Sequence, residues 1–394
     1  MDLSLTPELR EFREEVRTWF AEHLVGEFAA IRGEGFSWDD SFWDTRIAWD
    51  KELAADGWLC IGWPKAYGGR DASIDEQLIF QLEYARANAP YRGSVQGQDL
   101  LGPTLLHFGS EEIKQRFLPK IIAVEEHWGQ GFSEPGAGSD LAGLRTKAML
   151  EGDEWVIDGQ KVWTSAGAHA DWLYVLCRTD PEAPRHRGIS MLLVPADQPG
   201  VDIRPIRNIL GGAEFCEVFF SGARTASSMV VGDVNNGWAV AMGALGTERG
   251  TTMLAENLRV AGEVNQMIAE AQASGGAKRA VMRADLARAW SDAKVMEWNA
   301  LRLMTAIKGV GGDPTAQASL GKVFASEAHK RMGEIAMRAE GPRSELVGNG
   351  YELDRLQQVF MSSRAESIFG GTTQIQYNVI AERMLGMPRE PRRA

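Results

Sequence analysis

Apolar residues recur at three- and four-residue steps through the first 126 residues of the chain, which is the period of amphipathic helices. The first stripe follows Thr6, which is a favourable N-cap, and Pro7, which suits a first helical turn. A run rich in glycine, tryptophan and proline at residues 57–69 interrupts the pattern and is predicted to be a packed loop. Helices are predicted at residues 6–23, 40–56, 73–88, 99–108 and 110–124.

At about His127 the pattern changes from helical to alternating. Short apolar runs follow one another, many of them separated by turn signals such as Asp158-Gly159. Because no helical pattern lies between these runs, an antiparallel barrel or sandwich is predicted rather than a parallel sheet. The candidate strands are residues 127–133, 146–151, 154–157, 161–165, 172–178, 189–195, 201–206 and 215–221.

From Asn236 the helical period returns and continues almost to the end of the chain. Helices are predicted at residues 238–273, 277–308, 314–338, 352–368 and 372–385, and the short breaks between them are typical of a bundle. A chain of 394 residues exceeds what one hydrophobic core usually supports. We therefore predict an α+β protein with an N-terminal helical domain (1–126), a middle antiparallel β-barrel (127–234) and a C-terminal helical bundle (235–394).

The composition restricts the class of partner. A formal net charge of −12 disfavours nucleic acid. The cysteines show no CxxC pair and the histidines no metal-ligand spacing, so we expect neither a disulfide framework nor a metal site. The amino terminus lacks a basic region followed by an apolar run, and no stretch approaches the ~18 apolar residues of a membrane span. A cytoplasmic protein is expected.

Residues 131–143, called the 131–143 segment below, are predicted to lie against a ligand. They read Gly-Phe-Ser-Glu-Pro-Gly-Ala-Gly-Ser-Asp-Leu-Ala-Gly. The glycines allow a close approach to the backbone, Ser133 and Ser139 carry hydroxyl groups, and Glu134-Pro135 favours a turn. Two later motifs complete the candidate site: Gly-Gln-Lys-Val-Trp-Thr-Ser at residues 159–165 and Phe-Gly-Gly-Thr-Thr-Gln-Ile-Gln at residues 369–376.

These motifs and the helix, strand, helix order of the whole chain resemble the acyl-CoA dehydrogenase family, and in particular its members from bacterial steroid and branched-chain breakdown. The resemblance implies that the chain binds FAD and an acyl-CoA substrate. A tryptophan would pack on the flavin ring, hydroxyl groups would hydrogen-bond to it, and the Gly-Thr turn would open a helix whose first amides face the cofactor. The implied FAD contacts are Phe132, Ser133, Ser139, Trp163, Ser165, Thr372, Thr373 and Gln374.

The catalytic base departs from the best-known pattern of the family. In medium- and short-chain members a glutamate precedes the Gly-Thr pair, but this chain has Gly370 there. A smaller set, including isovaleryl-CoA dehydrogenase, carries the glutamate on a helix of the C-terminal bundle, directly before an arginine. By that match Glu248 is the implied base, and the implied substrate contacts are Ser139, Arg249 and Gly370. Glu248 would remove the α-proton of the thioester while the β-hydrogen leaves as hydride, giving a 2,3-enoyl-CoA.

The way in which FAD is held also departs from the pattern. Homotetrameric relatives use an Arg-containing Phe-Gly segment and a Gln-x-x-Gly-Gly turn, and residues 273–279 and 337–342 match neither. The resemblance therefore allows a homo-oligomer, dimer or tetramer, or a heterotetramer with a related subunit. It implies electron-transfer flavoprotein as the electron acceptor. Two alternatives stay open: a flavin oxidase or monooxygenase of the same fold, and a non-catalytic partner subunit.

Overall fold

The computed structural model of the protein describes residues 5–34, 41–247, 253–309 and 313–388. The described helices are α1 (Pro7–His23), α2 (Gly26–Ala30), α3 (Trp43–Ala55), α4 (Ile74–Arg86), α5 (Gly102–Phe108), α6 (Glu111–Ile122), α7 (Gly237–Thr247), α8 (Met253–Ala273), α9 (Ala280–Ile307), α10 (Pro314–Glu340), α11 (Arg355–Ser362) and α12 (Thr373–Val379). The described strands are β1 (Trp128–Gly131), β2 (Lys147–Glu151), β3 (Glu154–Ser165), β4 (Trp172–Arg178), β5 (Ile189–Pro195), β6 (Val201–Ile206), β7 (Phe215–Ala226) and β8 (Val230–Val231).

The chain divides into two compact units. The bundle unit comprises residues 1–34, 73–89 and 249–394, and the sheet unit comprises residues 35–72 and 90–248. None of the helices in the described ranges is long and apolar enough to cross a membrane.

Helix starts follow the capping residues of the sequence. The Thr6 hydroxyl accepts a hydrogen bond from the backbone N–H of Leu9 at 3.3 Å, and Ser110 caps α6 in the same way. Both predicted starts are confirmed. In the bundle unit α1 and α4 then pack through aromatic rings, with Phe20 lying 5.5 Å from Tyr84 between ring centroids.

The strands of the sheet unit form one mixed sheet. Its order is β6-β7-β3-β2-β4-β5-β8, with β1 beside β4. The pairs are antiparallel except that β1 and β2 run parallel to β4. No pairing among the described strands joins β6 to β8, so the predicted antiparallel barrel is in fact a sheet that is not closed.

Strand β4 is buried on both faces, which explains its continuous apolar sequence. Leu173, Val175 and Cys177 belong to the core between the strands, whereas Tyr174 and Leu176 point into the core formed with α5, α6 and α7. Because successive side chains of β4 point to opposite faces, this strand takes part in two apolar clusters of the sheet unit.

The predicted turn at Asp158-Gly159 is wrong, because β3 continues through it as one strand. The pairing with β7 shifts by a bulge between Ile157 and Asp158. A Cβ at residue 159 would lie 2.6 Å from the Cα of Thr146, so glycine serves a close approach of the backbone and not a reversal of the chain.

Several helix boundaries differ from the prediction. The predicted helix at 99–108 begins instead as a wide π-helical stretch, Gln96–Leu101, before α5. The predicted helix at 238–273 is described as α7 and α8, and residues 248–252 between them lie outside the described ranges. The predicted helix at 352–368 ends at Ser362 and is followed by a short 3-10 turn.

Candidate active site

The 131–143 segment contains the turn that Glu134-Pro135 predicts. Glu134 and Ala137 each donate a backbone hydrogen bond to the carbonyl of the other, at 3.1 and 3.0 Å. Pro135 and Gly136 occupy the centre of this turn, where proline restricts the backbone and glycine carries no side chain. The segment is therefore a closed turn.

A buried ion pair fastens this turn to the sheet. The amino group of Lys161 donates to the Glu134 carboxylate at 2.8 Å and to the carbonyl of Phe132 at 3.0 Å. The same carboxylate accepts from the backbone N–H groups of Arg145 and Thr146, at 2.7 and 2.8 Å. Burial alone would raise the pKa of Glu134, but Lys161 and the two amide donors bring it below its ordinary value. The pair is therefore ionised and held from both sides.

The two motifs of the sheet unit lie side by side as a result. The backbone N–H of Val162 donates to the carbonyl of Ser133 at 2.9 Å, which aligns the 131–143 segment with the end of β3. The segment that carries Phe132 and Ser133 is thereby held against the end of β3 that carries Trp163 and Ser165. The two motifs are therefore neighbours in the structure, and the FAD contacts assigned to them stay a prediction.

Trp163 is held with its ring exposed at a second bulge of β3. The pairing with β7 shifts between Lys161 and Thr164, and Trp163 has a φ of 62°. Its side chain is 57% exposed, whereas Val162 and Thr164 on either side are buried. Bulges often re-aim a side chain at a binding site. A large ring displayed in this way beside serine hydroxyls fits a planar aromatic cofactor.

The remaining sheet-unit residues have distinct surroundings. Phe132 is only 4% exposed, and its ring packs against Tyr174 at 5.6 Å between centroids. Ser139 is exposed, and Ser165 is half-buried in register with Phe215 of β7. Phe132 thus supports the segment from the core, and the hydroxyl-bearing residues are those left accessible.

The third motif lies in the bundle unit, where a stripe of polar residues on α10 holds the chain that leads into it. Lys322, Ser326 and His329 recur at four- and three-residue steps, so they share one face of the helix. Lys322 donates to the carbonyls of Glu366 and Phe369, and Ser326 also donates to that of Glu366. The backbone before the Gly-Gly-Thr turn is therefore fixed by buried donors.

His329 extends this arrangement into a buried ionic chain. One ring nitrogen lies 2.6 Å from the Glu366 carboxylate and the other 2.7 Å from that of Glu263, which also accepts from Arg355 at 2.8 Å. Burial alone would lower the pKa of His329, but the two carboxylates raise it well above its ordinary value. The imidazole is thus protonated at neutral pH and donates to both glutamates.

The turn itself is shaped by two glycines with positive φ, 60° at Gly370 and 86° at Gly371. The side-chain amide of Gln376 donates to their carbonyls at 3.1 and 3.4 Å. Thr372 caps α12, because its hydroxyl accepts from the N–H of Ile375 at 3.2 Å. Of the other predicted FAD contacts, Thr373 is buried and Gln374 is exposed.

The predicted base, Glu248, and its neighbour Arg249 lie outside the described residues. Their assignment as base and substrate contact therefore stays a prediction.

The two segments that fail to match the homotetrameric FAD contacts touch each other. The Ser274 hydroxyl donates to the carbonyl of Ala339 at 3.0 Å. Next to this contact, burial and the Asp354 carboxyl raise the pKa of Glu340 to about 8, with Glu270 adding further negative charge. Arg343 lies beside the same carboxyl groups and pairs with Glu270 at 3.1 Å.

The sequence reasoning missed the residues that brace the site. Lys161 lies at a buried position of β3, directly before Val162-Trp163, which was a usable signal for a buried ion pair. Lys322 and His329 interrupt the apolar face of α10 at helical spacing, which was a second such signal.

Family models match nearly the whole chain. The N-terminal domain of acyl-CoA dehydrogenase matches residues 6–125, the middle domain residues 129–223 and the C-terminal domain residues 235–385. Acyl-CoA dehydrogenase IpdE1 of Mycolicibacterium smegmatis is 45% identical over 394 residues, covering 97% of this chain and 99% of that protein.

Two solved structures are similar over their full length. The Tcur3481-Tcur3483 steroid ACAD has a TM-score of 0.87 and 32% identity, covering 99% of this chain and 100% of that one. The ChsE4-ChsE5 complex from Mycobacterium tuberculosis has a TM-score of 0.80 and 31% identity, with coverage of 99% and 100%.

Helical N- and C-terminal domains and a middle domain built on a β-sheet are the three parts of the acyl-CoA dehydrogenase architecture, which defines a class of flavin-dependent oxidoreductases. The chain belongs to the acyl-CoA dehydrogenase family, and its cofactor is accordingly FAD. The predicted three-part fold and the predicted enzyme class are both confirmed.

Proposed function

We propose that this chain oxidises a branched or bulky acyl-CoA thioester to the 2,3-enoyl-CoA, with Glu248 as the base. The observation that carries the proposal is the Trp163 ring, displayed by a bulge next to Ser133 and Ser165. The bulge leaves one face of the tryptophan accessible to a planar ring, and a flavin packed on it would bury that apolar surface.

The residues divide between cofactor and substrate. Trp163 would cover the flavin ring and exclude water, while Ser133 and Ser165 would donate hydrogen bonds to its polar edge. Ser139 would contact both ligands, and Thr372, Thr373 and Gln374 would be further FAD contacts. Arg249 and the backbone of Gly370 would contact the thioester. FAD when bound supplies the hydride acceptor.

Glu248→Gln tests the base directly. An amide cannot take a proton, so this variant should keep its FAD and lose rapid bleaching of the flavin by acyl-CoA. The control is Glu22→Gln at an exposed position, which should bleach at the wild-type rate. Normal bleaching by Glu248→Gln would exclude Glu248 as the base.

The acyl group follows from the space at Gly370. Glycine replaces the glutamate of other members there, and this leaves room for a wide substituent. One of the similar solved structures is named a steroid ACAD, which is consistent with such a substrate for this chain. A panel of acyl-CoA thioesters monitored by flavin bleaching should favour branched or polycyclic groups. Equal or faster bleaching by straight short chains would contradict this assignment.

Electron-transfer flavoprotein is the proposed acceptor of the electrons. The reduced enzyme should be reoxidised quickly by that protein and slowly by air. Fast reoxidation by air would instead favour the alternative, an oxidase or monooxygenase of the same fold.

A related but different subunit is the proposed partner. Residues 273–279 and 337–342 match neither of the two segments through which homotetrameric relatives reach FAD from a neighbouring subunit, which supports a partner with different contacts. The chain expressed alone should bind FAD poorly and gain it when mixed with the partner. Full flavin occupancy in a purified homotetramer would contradict this.

The absence of a carboxylate at Gly370 also favours the second candidate, a non-catalytic subunit. The catalytic and the non-catalytic role can be separated by reconstituting the complex, removing the base of one chain at a time and assaying turnover. Loss of turnover in the Glu248→Gln complex would exclude a non-catalytic role for this chain.

A further inference from the structure

We propose that Lys322 and Gln376 are positioning residues that aim the backbone N–H of Gly370 at the oxygen of the bound thioester. The inference rests on the proposed function, in which the Gly370 backbone contacts the substrate. It adds two residues that touch neither ligand and act through the peptide planes of the turn.

The first step concerns one peptide plane. The carbonyl of Phe369 accepts from Lys322 at 2.7 Å, and Lys322 is 1% exposed, so this carbonyl points into the bundle unit. The peptide between Phe369 and Gly370 is trans, and in a trans peptide the C=O and N–H groups point in opposite directions. The N–H of Gly370 must therefore point away from the buried lysine.

The second step extends this to the next two planes. The carbonyls of Gly370 and Gly371 accept from the side-chain amide of Gln376, which is also 1% exposed. By the same geometry the N–H groups of Gly371 and Thr372 point away from Gln376. Within the described residues, the backbone N–H of Gly370 is donated to no acceptor. The turn thus presents its donors on the side opposite its buried supports.

The third step concerns why the supports must be rigid. Hydrogen bonds accelerate a reaction when their donors are already aimed at the charge that develops, because no reorganisation is then needed. Removal of an α-proton places negative charge on the thioester oxygen. A flexible Gly-Gly turn would point its N–H groups in many directions, and the two glycines allow such freedom. Lys322 and Gln376 remove that freedom.

Lys322→Met is the primary test, because methionine keeps the length and burial of the side chain and removes the donor. The matched control is Lys330→Met on the same helix, where the lysine is paired with Glu327 on the protein surface. Both variants are prepared as FAD-loaded enzyme in the assembly that the wild type forms. Flavin content and circular dichroism establish that they are folded.

The readout is the carbonyl stretch of bound [1-13C]acetyl-CoA, which has no β-carbon and cannot be dehydrogenated. In the wild type a hydrogen bond from Gly370 lowers the stretching frequency on binding. In Lys322→Met a large part of this shift should be lost, and kcat should fall by about 10²-fold with KM little changed, as for loss of one donor to a developing oxyanion. Lys330→Met should match the wild type in both.

The outcomes separate the inference from the proposed function. A wild-type shift that Lys322→Met retains in full overturns the positioning role alone. No shift in the FAD-loaded wild type overturns the thioester contact at Gly370 and the inference with it.

Gln376→Met gives a second route if Lys322→Met does not fold. It should also reduce the shift, because the carbonyls of Gly370 and Gly371 lose their donor. A full shift in Gln376→Met would overturn its share of the positioning. Hydrogen exchange at Gly370 in the wild type needs no variant. Exchange should be fast in the FAD-loaded enzyme and slowed by acetyl-CoA, and equal protection in both states would overturn the inference.

Discussion

Lys161→Met is the substitution that tests most sharply how the 131–143 segment is held. The side chain of Lys161 is fully buried and that of Glu134 is 8% exposed, with 2.8 Å between the amino nitrogen and the carboxylate oxygen. Removing one partner of a buried pair costs roughly 3–5 kcal/mol, because the other charge is left uncompensated. Glu134 would keep its bonds from the Arg145 and Thr146 amides, so the lower end, about 3 kcal/mol, is expected.

The assay combines thermal unfolding with FAD affinity. For a unit of 150–250 residues, roughly 2–4 °C of the midpoint corresponds to 1 kcal/mol, so Lys161→Met should lower the midpoint of the sheet unit by about 6–12 °C. FAD should also bind more weakly, because the carbonyl of Phe132 loses its donor and the segment loosens. Adding Glu134→Gln to Lys161→Met should restore part of the midpoint, since the double variant buries no lone charge.

The control for this prediction is Lys147→Met. Lys147 lies in the neighbouring strand β2 and its pair with Asp158 is exposed, with 3.7 Å between the charged atoms. Such a pair contributes about 0–1 kcal/mol, so the midpoint and the FAD affinity should barely change. Equal effects of Lys147→Met and Lys161→Met would refute the claim that the buried pair fastens the segment.

Three further substitutions test other features. Glu340→Gln should raise the thermal midpoint at pH 8 and much less near pH 5, because a carboxyl whose pKa is raised from 4.5 to about 8 costs stability as the pH rises between these values. The control is Glu345→Gln at an exposed position, and a pH-independent gain in Glu340→Gln would contradict the assignment. Protonated His329 stabilises the fold fully below its ordinary pKa of 6.5, and this contribution is lost as the pH rises through the raised pKa of the folded protein. The thermal midpoint of the wild type should thus fall more steeply at alkaline pH than that of His329→Gln. Parallel plots of midpoint against pH for the two proteins would exclude the charged network. Trp163→Ala should weaken FAD binding about tenfold in a fluorescence titration, which is equivalent to about 1.4 kcal/mol of lost ring packing. The control is Trp298→Ala, because Trp298 is 56% exposed on α9 and its loss should not weaken FAD binding. Unchanged affinity in Trp163→Ala would mean that the ring does not cover the cofactor.

Much of the fold could be predicted because local signals agree with the final structure. Thr6 and Ser110 start helices where their capping role predicts. The change of period at about His127 marks the start of the sheet. The sequence could not predict that this sheet stays open, because pairing between distant strands leaves no periodic pattern in the sequence. The Asp158-Gly159 signal misled because a bulge and a turn both use glycine.

The candidate site divides in the same way. Ser133 and Trp163 could be proposed as FAD contacts because they lie in motifs whose residue types are unusual together. Glu134, Lys161 and Lys322 could not be assigned a role, because each acts on a partner distant in the sequence: Lys322, for example, holds the carbonyl of Phe369. A buried charge inside an apolar pattern indicates that such a partner exists, but only the fold identifies it.

The central claim is that this chain, with FAD bound, dehydrogenates an acyl-CoA thioester. The most direct test is anaerobic titration of the FAD-loaded enzyme with a branched acyl-CoA, in the presence of the proposed partner subunit. The account predicts that the flavin absorbance is bleached in proportion to the thioester added and that one 2,3-enoyl-CoA forms per flavin reduced. A fully loaded enzyme whose flavin stays oxidised with every thioester of the panel would contradict the account.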